Sequence, residues 1–125
     1  MTSQVDQLLE VYGAAQLEQG FGVSVVLMRG GLESAAFTAT WERVEYEISD
    51  QEGFLTKRTS RDFVFPTTAT VLGGSLVEPR AGDRLRLTEG GASVEYELLP
   101  MGKLPAAESM PSGYRWKVHT KKVDG

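Results

Sequence analysis

The chain reads as mainly β, a small antiparallel β-barrel of about six or seven strands with a short N-terminal helix and two long loops. Three observations lead there. Gly82 to Leu99 holds GDRLRL, a Gly90-Gly91 pair and SVEYELL, two alternating strands around a turn whose positive φ suits glycine. Val23 to Trp41 repeats that plan around Gly30-Gly31. YRWKVHT, Tyr114 to Thr120, alternates as a later closing strand.

The Gly90-Gly91 hairpin also specifies its register. With the glycines at the tip, Thr88 faces Ser93, Leu87 faces Val94, Arg86 faces Glu95, Leu85 faces Tyr96 and Arg84 faces Glu97. Apolar residues meet apolar ones and each Arg meets a Glu. Such pairs each add a few tenths to about 1 kcal/mol, and a one-residue slip would turn the apolar face outward.

The 125 residues suit a single domain, with residues 1–20 as the N-terminal helix and 21–125 as the barrel. In the helix, Ser3 is the N-cap, Val5, Leu8, Leu9 and Tyr12 form the apolar stripe, Gly13 weakens the middle and Gly20 is the stop. Val23 to Met28 is the first strand and Ser34 to Trp41 its hairpin partner. From Ala35 to Ser49, Val44, Tyr46 and Ile48 alternate with Arg43, Glu45 and Glu47, either as one long bent strand or as two, with a bend near Trp41 favoured.

Ser49 to Asp62, SDQEGFLTKRTSRD, is polar and turn-rich, the first long loop, and leads into a strand from Phe63 to Phe65 that Pro66 ends. Thr67 to Pro79 reads as irregular surface chain with a Gly73-Gly74 turn, Thr67 to Leu72 being a short helical turn or a strand. The second long loop is the connector Pro100 to Gly113, which holds three prolines and few core-building residues. Loops of that length are usually functional or disordered. In the last strand Trp116, Val118 and Thr120 share the core face, leaving Lys117, His119 and Lys121 on a basic, solvated one.

Composition excludes several functions. A hydrophobic content of 41% with 24% charge, and no apolar run near the roughly 20 residues of a membrane span, predict a soluble protein with no membrane partner. MTSQVDQLLE is acidic and amphipathic, unlike a secretory signal, so the protein is expected to stay where it is made. With no cysteine there is no disulfide, thiolate zinc site or cysteine nucleophile. A net charge of −4 argues against gripping the outside of nucleic acid as a main task.

Catalytic motifs are absent; GFG at Gly20 to Gly22 is a fragment that precedes a strand rather than a helix. His119 is the sole histidine and is expected to be a solvated strand residue. Glu45 with Glu47, and Glu95 with Glu97, are candidate acid/base pairs that read better as salt-bridged exterior. Arg115, Lys117, His119, Lys121 and Lys122, with Tyr114 and Trp116, are candidates for single-strand binding, but Trp116 lies on the opposite face from the cations. Trp41, Tyr46, Phe54 and Trp116 are the aromatics open to a carbohydrate or small-ligand site. The expectation is no enzyme, no metal and no cofactor.

SLVEPRAGDRL, the hairpin ending in YELLP, and RWKVHTK resemble the head-tail joining or head-completion proteins of tailed-phage necks, the stopper family. The matching positions are Pro79, Gly82, Asp83, Arg84 and Leu85, then Tyr96 and Leu98, then Trp116 to Thr120; Asp62 to Gly74, DFVFPTTATVLGG, is similar to prophage-encoded proteins of this type. The resemblance implies a non-catalytic, ring-forming homo-oligomer in the virion neck, assembled in the host cytoplasm. It would dock under a portal or adaptor protein, close or line the channel through which DNA passes, and present a surface to a tail completion or tail protein. The expected contact residues are Phe54, Lys57, Arg58 and Arg61 in the first loop and Met101, Lys103 and Met110 in the second. The alternative reading is a small β-barrel module that binds a ligand or nucleic acid.

Overall fold

A computed structural model describes residues 22–49 and 52–123. The predicted N-terminal helix, from its Ser3 cap to Gly20, lies outside the described residues. Ten strands follow in order: β1 (Val23–Arg29), β2 (Leu32–Glu33), β3 (Phe37–Ser49), β4 (Leu55–Pro66), β5 (Val71–Leu72), β6 (Ser75–Leu76), β7 (Arg84–Glu89), β8 (Ala92–Leu98), β9 (Ala107–Ser109) and β10 (Arg115–Lys122). Six of them close a ring of antiparallel pairs, β1–β3–β4–β10–β8–β7 and back to β1. β2 extends the β1 end, β9 lies beside β10, and β5 with β6 forms a separate small hairpin.

Alternation builds the interior. Val25 and Leu27 from β1, Ala39 from β3, Phe63 and Phe65 from β4, Leu85 and Leu87 from β7, Tyr96 and Leu98 from β8, and Val118 from β10 are buried together. Phe37 and Phe65 stack 5.0 Å apart and Phe63 meets Tyr96 edge-on at 5.5 Å. Closure explains why no alternating strand of the ring is left with an uncovered apolar face.

The β7–β8 hairpin has the predicted register, Arg84↔Glu97 through Thr88↔Ser93, with Gly90 and Gly91 both at positive φ. Its ion pairs are set by the neighbours: Arg84 reaches diagonally to Glu95 at 2.8 Å, while Arg86 turns to Glu33 of β2 at 2.9 Å. The GDR segment is also explained. Gly82 has φ +94 and donates its N–H to the Leu98 carbonyl, and the buried Asp83 accepts from the Arg80 N–H and from both Nε and Nη2 of Arg29.

The β1 hairpin departs from its predicted plan by a bulge. β1 pairs with β2 from Met28↔Glu33 and with β3 from Val25↔Phe37, so one additional residue is accommodated around Ser34 to Ala36. Ser34 fills the gap: its Oγ accepts the Leu27 N–H at 3.0 Å and its own N–H donates to the Leu27 carbonyl. Ser34→Ala leaves the buried Leu27 N–H without that partner and is expected to cost about 1–3 kcal/mol, read from the midpoint of urea unfolding.

Three expectations are corrected and, for β3, one of two alternatives is decided. Ser49 to Asp62 is not a long loop: β4 begins at Leu55 and pairs with β3 in unbroken register from Ser49↔Leu55 to Thr40↔Val64. Its polar residues gave no strand signal because both faces of β4 from Leu55 to Thr59 are exposed, so no apolar alternation is required there. β3 runs as one continuous strand through Trp41. The connector is not structureless, since it contains β9 and a bridge between Met101 and Leu104, with Met101 and Ala106 buried. His119 is fully buried rather than solvated, because the outward face of β10 is covered at that point.

Candidate functional site

Beyond the ring, β3 and β4 continue as a ribbon. From Arg43 to Ser49 and from Leu55 to Thr59 it is two strands wide among the described residues, because β1 pairs with β3 only at Phe37 to Ala39 and β10 pairs with β4 only at Arg61 to Pro66. At about 3.3 Å per residue the ribbon reaches roughly 20 Å past the ring. Phe54 and Leu55 at its outer end are 68% and 66% exposed. Lys57 lies opposite Glu47 and Arg58 opposite Tyr46, both cations exposed. The structure therefore brings Phe54, Lys57 and Arg58 together on one projecting element.

Arg61 does not join them. Strand parity turns it into the ring, where its guanidinium lies 4.2 Å from the Trp41 ring centroid and 4.8 Å from that of Tyr96 and pairs with Glu89. Tyr96 donates its hydroxyl to Glu89 at 2.8 Å. Burial and that hydrogen bond push the Tyr96 phenol up to about 12. Burial also raises the Glu89 carboxyl, but the hydrogen bonds from Tyr96 and Arg61 outweigh it and leave a net lowering. Arg61 is thus set apart from the other cations of the first basic run, packed against Trp41 and Tyr96 at the base of the ribbon.

The other side of the root is covered by the connector. Met101, 3% exposed, exchanges backbone hydrogen bonds with Leu104 at 3.0 Å, and Gly102 at φ +62 lies so close to β3 that a Cβ there would stand 3.2 Å from Ile48 Cγ2. Tyr46, Ile48, Met101 and Leu104 line the shallow groove between them. Met101 is therefore an inward residue in the subunit. Lys103 is exposed at the turn and lines that groove with Ile48 and Ser49, near the outer end of the ribbon, while Met110 is partly buried beside Arg115.

Under the connector lies a buried polar cluster. His119 Nδ1 is 2.9 Å from Asp62 Oδ1 and its Nε2 is 2.5 Å from Glu108 Oε2. Ser60 donates to Asp62 Oδ1 at 2.6 Å and Tyr46 to Asp62 Oδ2 at 2.5 Å. Burial raises Asp62, yet the hydrogen bonds from His119, Ser60 and Tyr46 and the charge of His119 hold it below the usual carboxylate range. Sequence reasoning missed this cluster because its members come from four strands and no local motif joins them. The nearest signal was the parity that placed Lys117, His119 and Lys121 on one face.

Among the described residues no group of three or more acids, histidines or cysteines is placed to hold a metal ion, and no helix is long and apolar enough to cross a membrane. Trp41 and Trp116 pack against the core, so they form no exposed aromatic platform. The fold is that of a β protein whose six-stranded ring carries a projecting ribbon and a connector folded over the outer face of the sheet. The chain belongs to the phage head-tail joining protein family, whose family model matches residues 5–125. Neither the curated proteins nor the solved structures contain a significant match.

Proposed function

We propose that this chain is a structural subunit of the phage neck that assembles as a homo-oligomeric ring between head and tail. The ring docks on a portal or adaptor protein, presents its opposite side to a tail completion or tail protein, and lines or closes the channel through which DNA passes. Family membership supports the joining role, and the ribbon carries the rest. A two-stranded arm backed by the connector and ending in exposed Phe54 and Leu55 offers an apolar tip to a neighbouring subunit or to the channel axis. Repeating one such heterologous contact around an axis closes a ring.

The contact set in this reading is Phe54, Lys57 and Arg58 on the ribbon with Lys103 and Met110 on the connector. A subunit of net charge −4 suits a channel from which DNA must leave, since a strongly cationic lining would retain it. Catalysis has no part in the role, and assembly takes place in the host cytoplasm. Adding purified protein to tailless, DNA-filled heads is expected to place ring-shaped density on the necks and to restore tail addition. Heads that stay bare, with the protein monomeric on portal complexes, would sink the proposal.

A further inference from the structure

The buried cluster carries a consequence for the connector. His119 is fully buried with a carboxylate at each ring nitrogen, Asp62 at Nδ1 and Glu108 at Nε2. A neutral imidazole has a single N–H, so one of the two contacts would set a ring lone pair against a carboxylate oxygen. The imidazolium donates to both. Asp62 has little use for a proton of its own, because Ser60 and His119 already donate to Oδ1, Tyr46 donates to Oδ2, and Lys117 Nζ stands 3.8 Å from Oδ2. Glu108 is the member contributed by the connector, from β9.

We propose that His119, as an imidazolium, is a clasp that fastens the connector, residues 100–113, over the outer face of the sheet through Glu108. Loss of its proton, or of Glu108, releases that segment and uncovers the outer face of the ribbon, along which Val44, Tyr46 and Ile48 lie. The clasp is a property of the subunit and stands independently of the neck reading. The groups facing it are Glu42 and Tyr46 from β3, Ser60 and Asp62 from β4, Glu108 from β9, Lys117 and Lys121 from β10, and, by pairing with Lys121, Glu97 from β8. Burial lowers the His119 basicity, but hydrogen bonds and charge from Asp62 and then Glu108 outweigh it, for a net rise above the ordinary value of 6.5. A raised folded value means the clasp holds fully below 6.5 and is lost as pH rises through the folded value.

Geometry also supplies the reporters. The His119 N–H is bonded to the Ala106 carbonyl and the Met110 N–H to the Arg115 carbonyl, so both amides open with the connector, whereas the β7–β8 ladder does not involve it. In the full chain, nitrogen NMR of the His119 ring should show both nitrogens protonated at pH 6, with the second proton lost at a midpoint above 6.5. Exchange of the His119 and Met110 amides, taken relative to Leu87 and Val94 amides, should accelerate by about tenfold or more as the ring titrates. Glu108→Gln should lower the titration midpoint and produce that acceleration already at pH 7. A ring that is neutral at pH 6, or connector exchange that ignores the titration, overturns the clasp. The wild-type titration decides this alone if Glu108→Gln fails to fold, and a folded variant with unchanged connector exchange overturns it equally.

Discussion

Replacing Asp62 with alanine is expected to destabilise the chain by about 3–5 kcal/mol, the cost of removing one partner from a buried ion pair while the other stays in place. The loss is large because Asp62 serves several donors at once. Without it Ser60 and Tyr46 lose their short hydrogen bonds to the carboxylate, and a charge on His119 would be balanced by Glu108 alone. Thermal unfolding should shift downward by roughly 10–20 °C in a chain of this size. The pH dependence gives a second check. Asp62 is held below its ordinary 3.8, so its contribution is present above that value and lost as pH falls through the folded one. His119 is raised, so its contribution is lost on the alkaline side. Wild-type stability should therefore decline at both ends, and Asp62→Ala should flatten both limbs. A variant that melts within 2–3 °C of wild type, less than about 1 kcal/mol, would show that the cluster is energetically idle.

Converting Phe54 and Leu55 together to serine should leave the fold intact and abolish ring assembly and head-tail joining. Both side chains are about two-thirds exposed in the subunit, where surface substitutions usually change stability by less than about 0.5 kcal/mol. In an interface each buried aliphatic or aromatic anchor contributes about 1.5–3 kcal/mol, so losing two weakens each contact by about a hundredfold or more. Sedimentation velocity would report ring formation and the yield of tailed particles would report joining. Wild-type yields from the double variant, with its melting temperature unchanged, would remove the ribbon tip from the proposal.

Legibility followed a physical rule. The β7–β8 hairpin was readable to the residue because its apolar and charged partners are adjacent across a two-glycine turn, so local pairing and global burial demand the same register. β10 was half readable: Val118 and Thr120 are fully buried as their parity predicts. The β4 half of the ribbon was unreadable because a strand exposed on both faces has no period to show, whereas the β3 half alternated through Val44, Tyr46 and Ile48. Lys57 and Arg58 kept the exposure predicted for them, while Arg61, in the same basic run, was drawn inside by Trp41, Tyr96 and Glu89, partners distant in sequence.

By itself the sequence determined the β class, the two Gly-Gly turns, one complete ladder register and the family to which the chain belongs, because each of these rests on contacts between residues close in the chain or on motifs it carries whole. The tertiary structure decided which charges face solvent. Ring closure put Arg61 in the interior, and the return of the connector over β3, β4 and β10 buried His119 between Asp62 and Glu108. Parity states the side of the sheet to which a residue points; what covers that side is settled by segments tens of residues away, which here set a carboxylate beside each ring nitrogen of a histidine that alternation alone would leave in solvent.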